Sequence, residues 1–254
     1  MLGNSEYVMR FLDLVLTDPQ ALVRHKLSKL VPKGWVEWAK WYGRNRDLVA
    51  SSRSQCAQDL FAMFIFETRF GLDIRAFKGV FVEFGAFDGL KHSNSFSFEQ
   101  LGWRGMVLEP DSDRVAECRS NRRCDVLHAA VVGAGGPEFV EFLKDPSDGE
   151  LSHIAGYGTD RAKLAAVSER VTTITLDAAL ERLGSVDFLS MDTEGSEADI
   201  LETTSFGVLP RIIVVEHNYD TVKRKRIRRR LESFGYELLE RSGDYFDDYY
   251  AQPK

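Results

Sequence analysis

Cysteine is scarce in this chain: Cys56, Cys118 and Cys124 are the only three in 254 residues, and no C-x-x-C pair occurs. An odd, scattered set excludes a disulfide framework and argues against a structural zinc site. It points to a reducing compartment, and a cytoplasmic location is expected. Long apolar runs are missing too. No stretch approaches the roughly 18 residues that a membrane span requires, and no basic segment leads into an apolar one near the N-terminus, so neither a span nor an export leader is expected. Positive charge is not in excess. A net charge of −6 gives the whole molecule no attraction for polyanions, and no nucleic-acid partner is expected. The G-x-G-x-x-G of dinucleotide-binding turns is also absent, as are internal repeats and low-complexity linkers.

What is present is 44% hydrophobic residues, ample for the core of one large domain. Residues 1–78 read as a helical extension. Tyr7, Val8, Phe11, Leu12, Val15 and Leu16 recur at helical spacing, and Pro19 follows Asp18 as a second helix start. Trp35, Trp38 and Trp41 share one helical face, as a packing seam rather than an aromatic wall for a substrate. Ala57–Phe70 is a further apolar helix, stopped by Gly71.

From residue 79 strands and helices alternate. Expected strands are Val80–Phe84, Gly105–Glu109, Val126–Val132, Glu138–Leu143, Val186–Met191 and Arg211–Glu216, with Tyr236–Glu240 and Tyr245–Ala251 closing the chain. Expected helices are Asn94–Leu101, Asp111–Ser120, Thr175–Leu183 and Thr221–Phe234. The continuous run Ile212-Ile-Val-Val215 suits a strand covered on both faces. The pattern predicts an α/β fold with a doubly wound, mostly parallel sheet over residues 79–254. Residues 144–172 are polar and glycine-bearing, and are expected to form a long connection, a candidate substrate lid.

Two strand ends carry the pattern of a nucleoside pocket. Phe81-Val-Glu-Phe-Gly-Ala-Phe-Asp-Gly89 ends an apolar run in an acid and a glycine-bearing turn, and Met106-Val-Leu ends in Glu109-Pro110. Gly85 lets backbone approach a ligand, and the Glu109 carboxylate can accept both ribose hydroxyls. The spacing Glu83-x-Gly85-x-x-x-Gly89 makes a wider turn than a pyrophosphate seat. It suits a ligand with a cationic, zwitterionic end, which favours S-adenosylmethionine over NAD. Ser93 and Asn94 open the next helix, either as caps or as contacts to the cofactor's carboxylate or the acceptor.

With Ser93-Asn94, Gly102-Trp-Arg-Gly105, Glu109-Pro110 and Asp187-Phe-Leu-Ser-Met-Asp-Thr-Glu-Gly-Ser-Glu197 in view, the chain resembles FkbM-type methyltransferases over roughly residues 79–240. Ser54-Gln, Gln58-Asp59 and Glu216-His-Asn218 also resemble features of that family. The resemblance implies a Rossmann-like class I methyltransferase fold with a seven-stranded sheet. It also implies an S-adenosylmethionine cofactor and methylation of an oxygen on a sugar or natural-product acceptor, a small molecule or glycan. Carried over by position, Glu83, Gly85 and Gly89 would line the methionine end of the cofactor, Glu109 the ribose, and Asp192 the far side of the methyl-donor pocket. The acid that often follows the third strand in this fold has no clear counterpart. Asp125 comes early, which leaves the backbone around His128–Ala130 for the adenine.

Methyl transfer to a hydroxyl gains from a base or a metal. Asp192-Thr-Glu194 and Glu216-His-Asn218 end the two strands beside the cofactor strand. One reading makes His217 the general base, oriented by Asp192 or Glu194. The other has Asp192, Glu216 or His217, and Asn218 hold a divalent cation such as magnesium. Helix capping is the plain alternative for Glu194 and Glu197. His153 is expected as a loop histidine in solvent rather than a group reaching the site. Lys223-Arg-Lys-Arg-Ile-Arg-Arg-Arg230 is expected as a solvated helix face with Val222, Ile227, Leu231 and Phe234 on its apolar side. It would pair with acids such as Asp244, Asp247 and Asp248, or with a partner subunit, which leaves a homo-oligomer open. Two rival functions stay in view: a nicotinamide-dependent oxidoreductase on a similar sheet, and a non-catalytic protein that docks on an anionic surface through residues 223–230.

Overall fold

Strand β1 (Val80–Phe84) is buried at every position, so other elements must cover both its faces. The computed structural model describes residues 33–145, 149, 151–157, 167–239 and 246–253. The helices expected over Tyr7–Leu16 and after Pro19, and Asp244, lie outside the described residues.

The main sheet contains β1, β2 (Arg104–Glu109), β3 (Asp125–His128), β8 (Phe188–Met191), β9 (Ile212–Glu216), β10 (Glu237–Leu239) and β11 (Asp247–Ala251). Its order is β10-β11-β9-β8-β1-β2-β3. The strands from β3 to β9 run parallel, and β11 and β10 pair antiparallel at one edge. The seven-stranded, doubly wound α/β sheet is therefore present. Side chains alternate between two cores. On one face Phe81, Val107, Phe188, Ile212 and Tyr249 pack on helices α1 (Lys33–Arg44) and α3 (Gln58–Thr68) through Trp38, Trp41, Phe61 and Phe66. On the other face Val82, Leu108, Leu189, Ile213 and Tyr250 pack on α6 (Leu176–Leu183), α7 (Glu197–Thr203) and α8 (Thr221–Ser233). The short α2 (Arg46–Ser51) joins the first layer through Leu48, and α4 (Phe96–Gln100) and α5 (Ser112–Asn121) do so through Phe98 and Cys118. The N-terminal helices thus share the core of the sheet. The tryptophan stripe is a packing seam: Trp38 and Trp41 are buried, and the Trp38 ring lies 5.5 Å from that of Phe61.

Side-chain caps start the helices beside the site. Asp111 accepts from the Asp113 N–H, Thr175 from the Ala178 N–H, and Asp220 from the Val222 and Lys223 N–H groups. Among the described residues no helix is long and apolar enough to cross a membrane.

Two expectations change. The strand expected over Val126–Val132 is two strands. Asp125–His128 stays in the main sheet, whereas β4 (Ala130–Val132) turns away and pairs with β7 (Val167–Thr175). A mostly apolar run broken only by His128 carries no periodicity that marks a change of sheet. The connection expected over residues 144–172 contains strand structure. β7 and β6 (His153–Ile154) flank β5 (Phe139–Lys144) in a four-stranded sheet ordered β4-β7-β5-β6. β7 escaped notice because only Val171 among its nine residues is buried.

If α1 belongs to the core, Trp38→Ala should cost about 3–5 kcal/mol in urea unfolding. A loss under about 1 kcal/mol would show that this helix only rests on the sheet.

Candidate active site

Strand order reverses between β1 and β8, and at such a reversal the connections diverge and open a crevice beyond the strands' carboxyl ends. A cavity of about 460 Å³ lies there, a size that suits a small-molecule ligand. Phe87, His92, Glu194 and Asn218 line it with φ of 51°, 61°, 54° and 48°. Left-handed backbone in residues other than glycine costs roughly 1–2 kcal/mol each, and such strain collects where loops are held for a function.

Glu109 stands at one end of the cavity, buried at the close of β2. Its Oε2 accepts from the Phe87 N–H at 2.7 Å and its Oε1 from the Asp111 N–H at 2.8 Å. Each oxygen keeps acceptor capacity for a ligand donor. Burial pushes this carboxyl up to about 8, against the pull of the two amides. Leu108, Ala129, Ala130, Val131 and Phe142 give the same end an apolar wall.

Glu83 lines the cavity and is also bonded within the protein. Both its oxygens accept from protein donors: Oε1 from the Asn94 N–H at 2.6 Å, and Oε2 from the hydroxyls of Ser93 at 2.8 Å and Ser95 at 2.6 Å. The Arg122 Nη1 lies 3.4 Å from Oε2. Arg122 also donates to Glu99, the Gly89 carbonyl, Ser93 and Ser95. Glu83 therefore holds the turn together while it also lines the cavity. Ser93 acts as a cap, accepting from the Phe96 N–H. Asn94 donates to Ser190 and keeps a buried Oδ1 without a partner. Gly85 has φ 73°, and a Cβ there would collide with the Asp192 carbonyl oxygen. Gly89, at φ 82°, has Cys118 and Arg122 packed against it.

The other end is acidic. Asp192 and Glu194 follow β8, Glu216 ends β9, and ligand atoms of all three lie within 4.8 Å of one another. Asp192 Oδ1 is sealed from water and has no hydrogen-bond partner. Burial, then repulsion from the neighbouring acids, holds Asp192 and Glu216 well above the ordinary carboxylate range. Asn218 donates its Nδ2–H to Glu216 Oε2 at 2.7 Å, which leaves its carbonyl oxygen as an acceptor. Glu197 does not face the cavity. It accepts from the Thr193 N–H, the Thr193 hydroxyl and the Gly195 N–H, and pairs with Lys223. Gln58, at the start of α3, donates to Asp247, and both line the cavity.

The structure turns His217 away from this cluster. The ring is 1% exposed. Its Nδ1 accepts from the Tyr219 N–H, and its Nε2 lies 3.7 Å from Asp248. Glu216 and Asn218 line the cavity and His217 between them does not, because neighbours at a strand end point to opposite sides. His153 is neither in the cavity nor exposed: it is 1% exposed and bonded to the Leu151 carbonyl. Most of the basic run is paired within the protein, and Lys225 and Arg229 are exposed. Arg224 pairs with Asp248, Arg226 with Asp199 and Glu202, Arg228 with Glu232, and Arg230 caps the carbonyls of Leu201 and Thr204. Val222 is exposed. Lys223, Ile227 and Leu231 form the buried stripe.

Sequence reasoning missed Arg122 and the Glu197–Lys223 pair. Arg122 sits in a polar stretch with no period. Lys223 did carry a signal, since it precedes Ile227 and Leu231 by four and eight residues on one helical face.

The methyltransferase FkbM domain family matches residues 83–238, more than half of the chain. No curated protein matches it. Among solved structures, an O-methyltransferase from Bacillus cereus in complex with SAH is 15% identical, with 96% of this chain and 100% of that one covered, at a TM-score of 0.41. A putative S-adenosyl-L-methionine-dependent methyltransferase from Methanococcus maripaludis is 11% identical, with 84% and 93% covered, at 0.43.

Two outcomes follow from the electrostatics. Arg122→Met leaves Glu83 and Glu99 buried without a counter-charge and should cost about 3–5 kcal/mol, read from denaturant unfolding; an unchanged midpoint would contradict the network. Glu109, Asp192 and Glu216 are raised in the folded state, so their contribution is fully present below the unfolded carboxyl value near 4.5. It is lost as pH rises through the folded values, about 8 for Glu109. The melting temperature of the ligand-free protein should therefore fall between about pH 5 and pH 8. Asp192→Asn should flatten that slope, and an equally steep slope in the variant would remove Asp192 from the explanation.

Proposed function

The chain belongs to the FkbM methyltransferase family, and we propose that it moves the methyl group of S-adenosylmethionine onto a hydroxyl oxygen of a sugar or natural-product acceptor. One observation carries the proposal: the buried Glu109 carboxyl stands at one end of the switch-point cavity with acceptor capacity on both oxygens. A 1,2-diol such as a ribose matches that arrangement. The rest of the cavity fits the cofactor. The apolar wall at Leu108, Ala129 and Val131 suits an adenine face. The buried, unpartnered oxygens of Asn94 and Asp192 can accept from an ammonium.

When bound, S-adenosylmethionine supplies an electrophilic methyl on a sulfonium. The protein's own residues handle position and protons. Glu109 fixes the nucleoside end. Asp192 and Glu216 are carboxyls whose raised pKa brings them toward working pH, and a base matched to its pH is the more effective one. Either can take the acceptor hydroxyl's proton. The buried, turned-away His217 favours this reading over a histidine base. Gln55, Gln58 and Asp247 line the cavity, and in this proposal they face the acceptor from the helical layer and the last strand.

A metal-assisted version rests on the same carboxylates. The ligand set would be Asp192, Glu194 and Glu216, all hard oxygen donors suited to magnesium. An ion there would relieve the repulsion among them.

Calorimetric titration with S-adenosylhomocysteine should give a micromolar Kd for the wild type and a loss of at least about 100-fold for Glu109→Ala, since several hydrogen bonds to a buried charged acceptor are removed. No binding by the wild type would end the proposal. Methylation of a hydroxylated acceptor with and without EDTA decides between the base and the metal versions.

A further inference from the structure

Lys223 occupies an apolar position. Helix α8 buries Lys223, Ile227 and Leu231 along one stripe, and an ammonium placed there is costly unless it is paired. Its Nζ donates at 2.9 Å to Oε2 of Glu197, whose side chain has no solvent exposure. The other Glu197 oxygen accepts from the Thr193 N–H at 2.7 Å, the Thr193 hydroxyl at 3.0 Å and the Gly195 N–H at 3.3 Å. One carboxylate thus joins α8 to the loop that carries Asp192 and Glu194 into the cavity.

The charged groups around this ammonium come from several elements. Asp192 and Glu194 belong to the β8–α7 connection, Glu197 to the first turn of α7, Glu216 to β9, Asp247 to β11, and Asp220 to the cap of α8 itself. The neighbouring cations of the helix are engaged elsewhere, Arg224 by Asp248 and Arg226 by Asp199 and Glu202.

We infer that Lys223 is a positioning residue of the methyl-transfer site: through Glu197 it holds in place the loop, residues 192–196, that carries Asp192 and Glu194 into the cavity. The inference builds on the proposed function for its meaning, but its test does not depend on turnover. Lys223→Met, Lys223→Arg and Lys225→Met are compared with wild type in the full chain. Amide hydrogen exchange is read at Thr193 and Gly195, whose N–H groups donate to Glu197.

Lys223→Met should speed exchange at both amides by at least about tenfold as the loop opens. Lys223→Arg should restore most of the protection, and Lys225→Met, which removes the same charge from an exposed site on the same helix, should leave both amides at wild-type rates. Unchanged amides in Lys223→Met would overturn the inference, as would an equal effect of Lys225→Met. Should Lys223→Met not fold, Glu197→Gln tests the link from its other end, and wild-type protection at Thr193 and Gly195 in that variant overturns it. Titration of the wild type with S-adenosylhomocysteine separates the two ideas: absence of binding removes the methyltransferase reading and leaves the loop anchor standing.

Discussion

The guanidinium of Arg122, with no solvent exposure, is the interaction on which one end of the cavity depends. It lies between two buried carboxylates, Glu83 and Glu99, and donates to the Gly89 carbonyl and to Ser93 and Ser95. A charge in that position is tolerable only when its partners are close and their remaining lone pairs are filled. Here they are. Glu83 receives three further donors from Ser93, Asn94 and Ser95, and Glu99 receives the amides of Arg123 and Cys124. The network joins the end of β1, the turn after it, the start of α4 and the entry to β3. It fixes the turn whose Phe87 amide holds Glu109.

The acidic end solves the same problem with a lysine. Glu197 and Lys223 form a buried pair beneath the loop after β8, as Glu83 and Arg122 do beneath the loop after β1. Above each pair sits a carboxyl that burial holds well above its ordinary range, Glu109 at one end and Asp192 at the other. Protein charges support the loops, and the carboxyls facing the cavity are left in search of a ligand. That division is costly for the empty protein, and strained backbone at Phe87 and Glu194 adds to the cost.

Much of the fold was legible because its signals are local. The apolar strands β1, β2, β8 and β9 and their terminal acids stand out at fixed spacing. Glycines mark the turns, and Asp111, Thr175 and Asp220 mark helix starts. Glu109 and Asp192 could be picked out for the same reason, as acids that end apolar runs. The rest depended on tertiary structure. Nothing in Ala129-Ala-Val-Val132 reveals a change of sheet, and the polar β7 has only Val171 to bury. Which way a strand-end side chain points cannot be read from one residue to the next, so His217 invited a catalytic reading that its burial against Asp248 does not favour. The donors that hold Glu83 were not legible, since Arg122 is distant in sequence and obeys no period. Val222 and Lys223 exchanged roles because apolar character alone chose the helix face.

The central claim is that a buried carboxyl at Glu109, raised by desolvation, is the ribose-binding group. The most direct test is the pH dependence of S-adenosylhomocysteine affinity. Two hydroxyl donors favour the ionised form, so binding must expel the proton that burial retains in the ligand-free protein. Affinity should therefore tighten as pH rises toward about 8 and level off above it, and Glu109→Gln should abolish that dependence. A flat profile in the wild type, or the same slope in the variant, would contradict the account.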